Sequence, residues 1–343
     1  MSLRRILTNA SEHGKSELNR IDYLDGWRGM AIALVLISHF LQVEGADLGR
    51  MGVDIFFVLS GVLMAKILFV KRVPLSIFYK RRISRILPVY FIFLTTISLL
   101  SFLLELSNEH NNFIYNLFFI RSYYPISPSI WDTGLPIGHL WSLNVEEHCY
   151  ILLSTITLIS LFYKKEYLPI LLLGCCSILL QYLYIKFPSI ASENYSLKTE
   201  IVASFLLISA GYSLIKHTFE KYVPNWAPII ALLLAFLCYT DYSPHWAAKW
   251  ALSPFLLAFS VNHLNLIPVF FKSLLNFRPL RLLGIWSFSI YLWQQPLYFY
   301  GTKSSDAFLF AGPLLLAVSI LIGAASFYFI ENPIRKYLND KWS

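Results

Sequence analysis

Charge is scarce in this chain. Asp, Glu, Lys and Arg make up 14% of its 343 residues while 57% are hydrophobic, which excludes an ordinary soluble domain, where roughly a quarter of residues are charged. Cysteine is scarcer still. Cys149, Cys175, Cys176 and Cys238 all fall in apolar stretches and none has metal-ligand spacing, so neither a disulfide framework nor a metal site is expected. The first twenty residues lack the apolar core of a signal peptide. Internal repeats and low-complexity tracts are lacking as well. The net charge of +8 would suggest nucleic acid in a soluble domain, but here the uneven spread of cations among the loops accounts for it, and no nucleic-acid partner is expected.

What is abundant is apolar sequence in runs that suit a bilayer. Such runs lie near 26–43, 52–70, 87–104, 143–163, 168–186, 199–215, 226–240, 246–261, 282–300 and 308–330. The expected fold is all-α: a polytopic integral membrane protein with about ten transmembrane helices in one bundle, spanning residues 21–343 behind a cytoplasmic arm, 1–20. The seventh and eighth runs are short, and Pro244 and Pro254 interrupt that region. With both ends on one side, that side collects Arg4, Arg5, Lys15, Arg20, the cluster from Lys71 to Arg85, and further Lys and Arg pairs to Lys341. The opposite side has Arg50, Arg121, Lys198, Lys249 and Lys303. This asymmetry places both termini in the cytoplasm and the chain in the inner or plasma membrane. The longest outside loop, 105–142, carries Trp131, Trp141 and the stretch PISPSIW, and is expected to fold back over the bundle.

Ionisable residues inside these runs are the candidates for function, because lipid makes them costly. Arg28 and His39 are eleven positions apart in LDGWRGMAIALVLISHF; eleven helical steps return near the starting face and span roughly 16 Å. The second run opens GVDIFFVLSG with Asp54, and the fourth is approached through GHLWSLNVEEHCY, with Glu146 and Glu147 flanked by His139 and His148. Arg82 and Arg85 are three apart and share a helical face suited to phosphates. Lys66 reads as a snorkelling side chain. Histidine and carboxylates thus converge toward one side, and arginines toward the other.

These segments resemble acyltransferase family 3, integral membrane enzymes that mostly O-acylate extracytoplasmic glycans. Arg28 and His39 match its arginine, ten residues, histidine signature, and GVDIFFVLSG its second-span motif. RRISRILP supplies a basic RxxR stretch, while HLWSLNVEEHCY, SFSIYLWQQPL and IENPIRK are similar to later motifs, in order. Some members carry a histidine where this chain has Gln294 and Gln295, and many continue into a soluble esterase-like domain, whereas this chain stops soon after its last run. The resemblance therefore implies a membrane-only acyltransferase with no tightly bound cofactor. Acyl-CoA, with acetyl-CoA foremost, is the implied donor, and a glycan or lipid-linked saccharide such as exopolysaccharide or O-antigen the implied acceptor.

Acyl transfer needs a base, a group that orients it, and donors for the developing oxyanion. His39 suits the base, and either Asp54 or Glu146 the orienting carboxylate. His39 fits equally well as a transient acyl carrier. Arg28 suits the thioester carbonyl or pantetheine arm, and the resemblance gives Arg82 and Arg85 the coenzyme phosphates. Trp141 and Trp293 lie in matched motifs and suit a sugar face. Two rival readings fit the same residues: a transporter or flippase, and an acyltransferase with a small-molecule acceptor.

Overall fold

The apolar runs fold as helices. A computed structural model describes residues 22–105, 111–124, 130–131, 134–191, 194–243, 245–302 and 305–342; the arm 1–20 and most of PISPSIW lie outside them. Thirteen α-helices occur among the described residues, and no β-strand. They are α1 (Asp22–Leu41), α2 (Leu48–Met64), α3 (Leu75–Leu103), α4 (Asn111–Leu117), α5 (Trp141–Leu158), α6 (Tyr167–Lys186) and α7 (Thr199–Ile215), followed by α8 (Ala227–Leu237), α9 (Ser253–Asn262), α10 (Val269–Leu275), α11 (Arg278–Thr302), α12 (Ser305–Ser326) and α13 (Asn332–Trp342). Short π-helical turns extend α2, precede α9 and join α12 to α13.

Among the described residues six stretches are long and apolar enough to cross a membrane: Asp22–Leu41, Leu48–Val70, Leu75–Leu103, Tyr167–Lys186, Tyr195–Thr218 and Ala311–Trp342. The other four expected runs are also helical. They fall short because α5 carries Glu146, Glu147 and His148, α8 and α9 have only 11 and 10 residues, and α11 carries Gln294 and Gln295 among tryptophans and tyrosines.

Two local features set the positions that matter. Asp47 caps α2 by accepting from the Arg50 main-chain N–H at 3.1 Å, so this helix begins before the apolar run and takes in Arg50. α3 begins after Pro74, well before the expected 87, which places Arg82 and Arg85 on a helix rather than in a loop. α1 lies between α2 and α11, α2 also packs on α7, and α7 on α6. Close approach at α1 and α11 needs glycine: a Cβ on Gly29 would fall 1.9 Å from the Leu280 carbonyl oxygen, and one on Gly284 1.8 Å from that of Asp25. The segment before α5 does fold inward, burying Leu135, Ile137, His139 and Leu140.

Candidate active site

Arg28 of α1 and Arg82 and Arg85 of α3 line one cavity of about 130 Å³. On its α2 wall Val53, Phe57, Ser60 and Met64 follow one helix face, with Phe56, Leu59 and Leu63 beside them, a stripe about 16 Å long at 1.5 Å per residue. Ser142, Glu146 and Tyr150 come from α5, and Ser287 and Tyr291 from α11.

The three arginines differ in how far they are committed. Arg28 Nη1 donates to Asp25 Oδ1 at 2.9 Å. Arg82 donates from Nε to Glu147 Oε1 at 2.9 Å, its Nη2 lies 3.6 Å from Glu146 Oε2, and its guanidinium sits 3.5 Å above the Tyr150 ring. Glu146 in turn accepts from Ser60 Oγ at 2.7 Å and from the Tyr150 hydroxyl. Arg85 is exposed and forms no hydrogen bond or ion pair among the described residues. Arg82 and Arg85 differ in their surroundings: α5 turns both of its glutamates toward Arg82, whereas Arg85 is exposed.

His39 lies at the far end of α1. Its ring stacks on Tyr298, with centroids 4.3 Å apart and planes at 12°, and its Nδ1 meets Gln294 Oε1 at 2.8 Å. The Gln294 amide N–H is spent on Gln295 Oε1 at 3.2 Å, so its oxygen faces the imidazole and Nδ1 carries the proton. That leaves a lone pair on Nε2. Nε2 approaches Gly49 in the first turn of α2, 3.9 Å from where a Cβ would stand.

Neither carboxylate expected to orient His39 does so. Asp54 is fully buried, accepts from Arg50 Nε at 3.0 Å on both oxygens, and accepts from the Tyr239 hydroxyl at 2.8 Å. One turn from Arg50 on the same helix, its nearest cation is local. Glu146 is occupied by Ser60, Tyr150 and Arg82. The orienting group is instead the amide of Gln294, in SFSIYLWQQPL where some members of the family carry a histidine. A pair of amides in an apolar run was the available signal, since lipid makes unpaired amides costly.

Trp141 is 5% exposed with the Arg50 guanidinium 5.0 Å from its ring, and Trp293 donates to Ser326 Oγ at 3.0 Å and meets Phe93 edge-on. Both rings thus make packing and polar contacts within the bundle. A residue passed over earlier is His139, 3% exposed and set edge-on to Phe93 and Tyr291, with both ring nitrogens lacking a hydrogen-bond partner among the described residues. Its main-chain carbonyl accepts from the Tyr291 hydroxyl at 2.8 Å, which also meets Ser142 Oγ at 2.7 Å. This arrangement can bind an anionic ligand at one end and take a proton from a hydroxyl at the other.

A family model described as an acyltransferase domain matches residues 21–330. The chain is 28% identical to the peptidoglycan O-acetyltransferase of Listeria monocytogenes, over 91% of this chain and 55% of that protein. It is 26% identical to the O-acetyltransferase of Staphylococcus aureus, over 91% of this chain and 57% of that protein. The chain thus spans about half the length of these curated relatives. No solved structure matches it.

Proposed function

The chain belongs to the acyltransferase family whose model covers residues 21–330, and from that membership we propose that it is a multi-pass membrane O-acetyltransferase. It takes an acetyl group from cytoplasmic acetyl-CoA and passes it to a hydroxyl of an extracytoplasmic or lipid-linked glycan. The relatives' names favour peptidoglycan over exopolysaccharide or O-antigen as that glycan. In this reading the chain makes ten spans, with both termini and the arginine end of the cavity on the cytoplasmic side.

One observation carries the proposal: a single cavity joins the open Arg85 to Ser142 and Tyr291, and the residue that orients His39 follows Tyr291 by one helical turn. Coenzyme phosphates pair with Arg85 and reach Arg28 by displacing its local contact. The apolar wall of Phe56, Phe57 and Leu59 suits the pantetheine arm. His39 Nε2 takes the proton of the acceptor hydroxyl.

The test is purified full-length chain in nanodiscs, supplied with acetyl-CoA and soluble peptidoglycan fragments. Release of coenzyme thiol matched by ester-linked acetyl on the sugar is the expected result. Thiol release without sugar ester moves the acceptor to another class, and absence of both rejects the acyltransferase activity.

A further inference from the structure

One buried cation has no part in this chemistry so far. Arg50 stands one turn beyond Val53 on the α2 stripe that lines the cavity, so positions 50, 53, 57, 60 and 64 follow one helix face. Its side chain is 9% exposed. Asp54 fixes Nε at 3.0 Å, the Ser196 carbonyl accepts from Nη1 at 3.2 Å, and the rings of Trp141 and Trp250 lie 5.0 and 4.4 Å from the guanidinium carbon. Nη2 is buried and has no hydrogen-bond partner among the described residues.

Four contacts that hold a guanidinium rigid while leaving its Nη2 donors unspent have an energetic meaning. A buried unsatisfied donor costs about 1–3 kcal/mol, so its retention calls for a use. The neighbours indicate which. Gly49, the preceding residue, abuts the open nitrogen of His39, and Trp141 precedes Ser142 on the cavity wall. The first turn of α2 thus carries Gly49, against the base nitrogen, and Arg50, with its unspent donors, one turn before Val53 of the cavity wall.

Resting on the acyltransferase reading, we propose that Arg50 is a catalytic residue whose Nη2–H donates to the acyl carbonyl oxygen as charge builds on it. The acceptor oxygen bonds to the acyl carbon as its proton passes to His39 Nε2, and the carbonyl π electrons move onto the oxygen held by Arg50. Collapse restores the carbonyl and breaks the carbon–sulfur bond, and the departing thiolate takes up the proton that His39 releases. Charge and proton count are unchanged overall. Asp54 positions Arg50 and balances its charge in lipid when no substrate is present. This gives Asp54 a role through Arg50 rather than through His39.

The test measures thiol release from acetyl-CoA by full-length protein in nanodiscs with peptidoglycan fragments. Arg50→Lys and Arg50→Ala should lower kcat by about 10²–10³-fold, the usual effect of losing one oxyanion donor, while the KM for acetyl-CoA stays within about threefold. Guanidinium ion at millimolar concentration should restore turnover to Arg50→Ala and not to His39→Ala. A kcat within about threefold of wild type overturns the proposal. So does a fall in kcat that guanidinium does not rescue and that comes with a lowered Tm, which would make Arg50 a packing residue. If wild type itself releases no thiol from acetyl-CoA, the underlying reading fails and this inference with it, a result distinct from failure of the Arg50 variants alone.

Discussion

The two ends of the bundle handle charge differently. Where α1 begins, Arg28, Arg82 and Arg85 share one cavity, and Arg85 makes no hydrogen bond or ion pair among the described residues. Where α1 ends, Arg50 is matched to Asp54, and His39 is held by the neutral amide of Gln294. An exposed, unpaired cation is suited to receiving a mobile anion. Residues pinned by several contacts are suited to holding reacting atoms still, because catalysis rewards donors that need no reorganisation. Binding and bond-making are thereby assigned to opposite ends of the site.

The largest test of that division is His39→Ala. It should lower acetyl transfer by about 10²–10⁴-fold, the range for loss of a general base, with purified yield and Tm unchanged. Near wild-type turnover would remove the chemistry from that end.

A second comparison lies within the arginine end itself. Arg82→Gln leaves the half-buried Glu146 and Glu147 without their cation, at a cost below the about 3–5 kcal/mol of breaking a fully buried pair; the expected outcome is a lower Tm in detergent. Arg85→Gln should leave Tm alone and raise the KM for acetyl-CoA about tenfold, by loss of a charge-assisted contact remote from the reacting carbon. Equal behaviour of the two variants in both measurements would erase the distinction drawn between them.

Gln294 sharpens the other end. Gln294→Leu removes the acceptor for His39 Nδ1–H, worth about 1–3 kcal/mol for a buried bond and hence roughly tenfold to hundredfold in kcat. Gln294→Glu keeps an acceptor and should retain more activity; the reverse order would show that Gln294 does not set the imidazole. Gly49→Ala should have the smallest effect. Its Cβ would stand 3.0 Å from Ser38 Oγ and 3.9 Å from His39 Nε2, so a change of up to about threefold in kcat is expected, without loss of fold.

Helical periodicity made part of this legible in advance. Arg28 and Arg85 reach one cavity from helices whose apolar runs were plain, and the same runs announced an all-helical membrane fold. The span count was less legible because the polar residues that concern function also lower the apolarity of α5 and α11. The partner of His39 was out of reach for another reason: 255 positions separate it from Gln294, and no local pattern reports a contact between α1 and α11. Arg50 and Asp54, by contrast, are a local i, i+4 pair. That pair was hidden by a boundary: with the run drawn from 52, Arg50 counted as a loop charge, whereas the Asp47 cap starts the helix at Leu48. Element ends are where sequence reading is weakest, and here one end carries a buried cation.

The central claim is that an acetyl group enters at the arginine end and leaves at the histidine end, on opposite sides of the membrane. Sealed inside-out vesicles containing the protein, with peptidoglycan fragments enclosed, test it directly when radiolabelled acetyl-CoA is supplied in the medium. The account predicts labelled acetyl esters on the enclosed sugar, no coenzyme inside, and loss of the signal in His39→Ala vesicles. Intact acetyl-CoA accumulating inside, with no ester formed, would contradict it and make the protein a transporter.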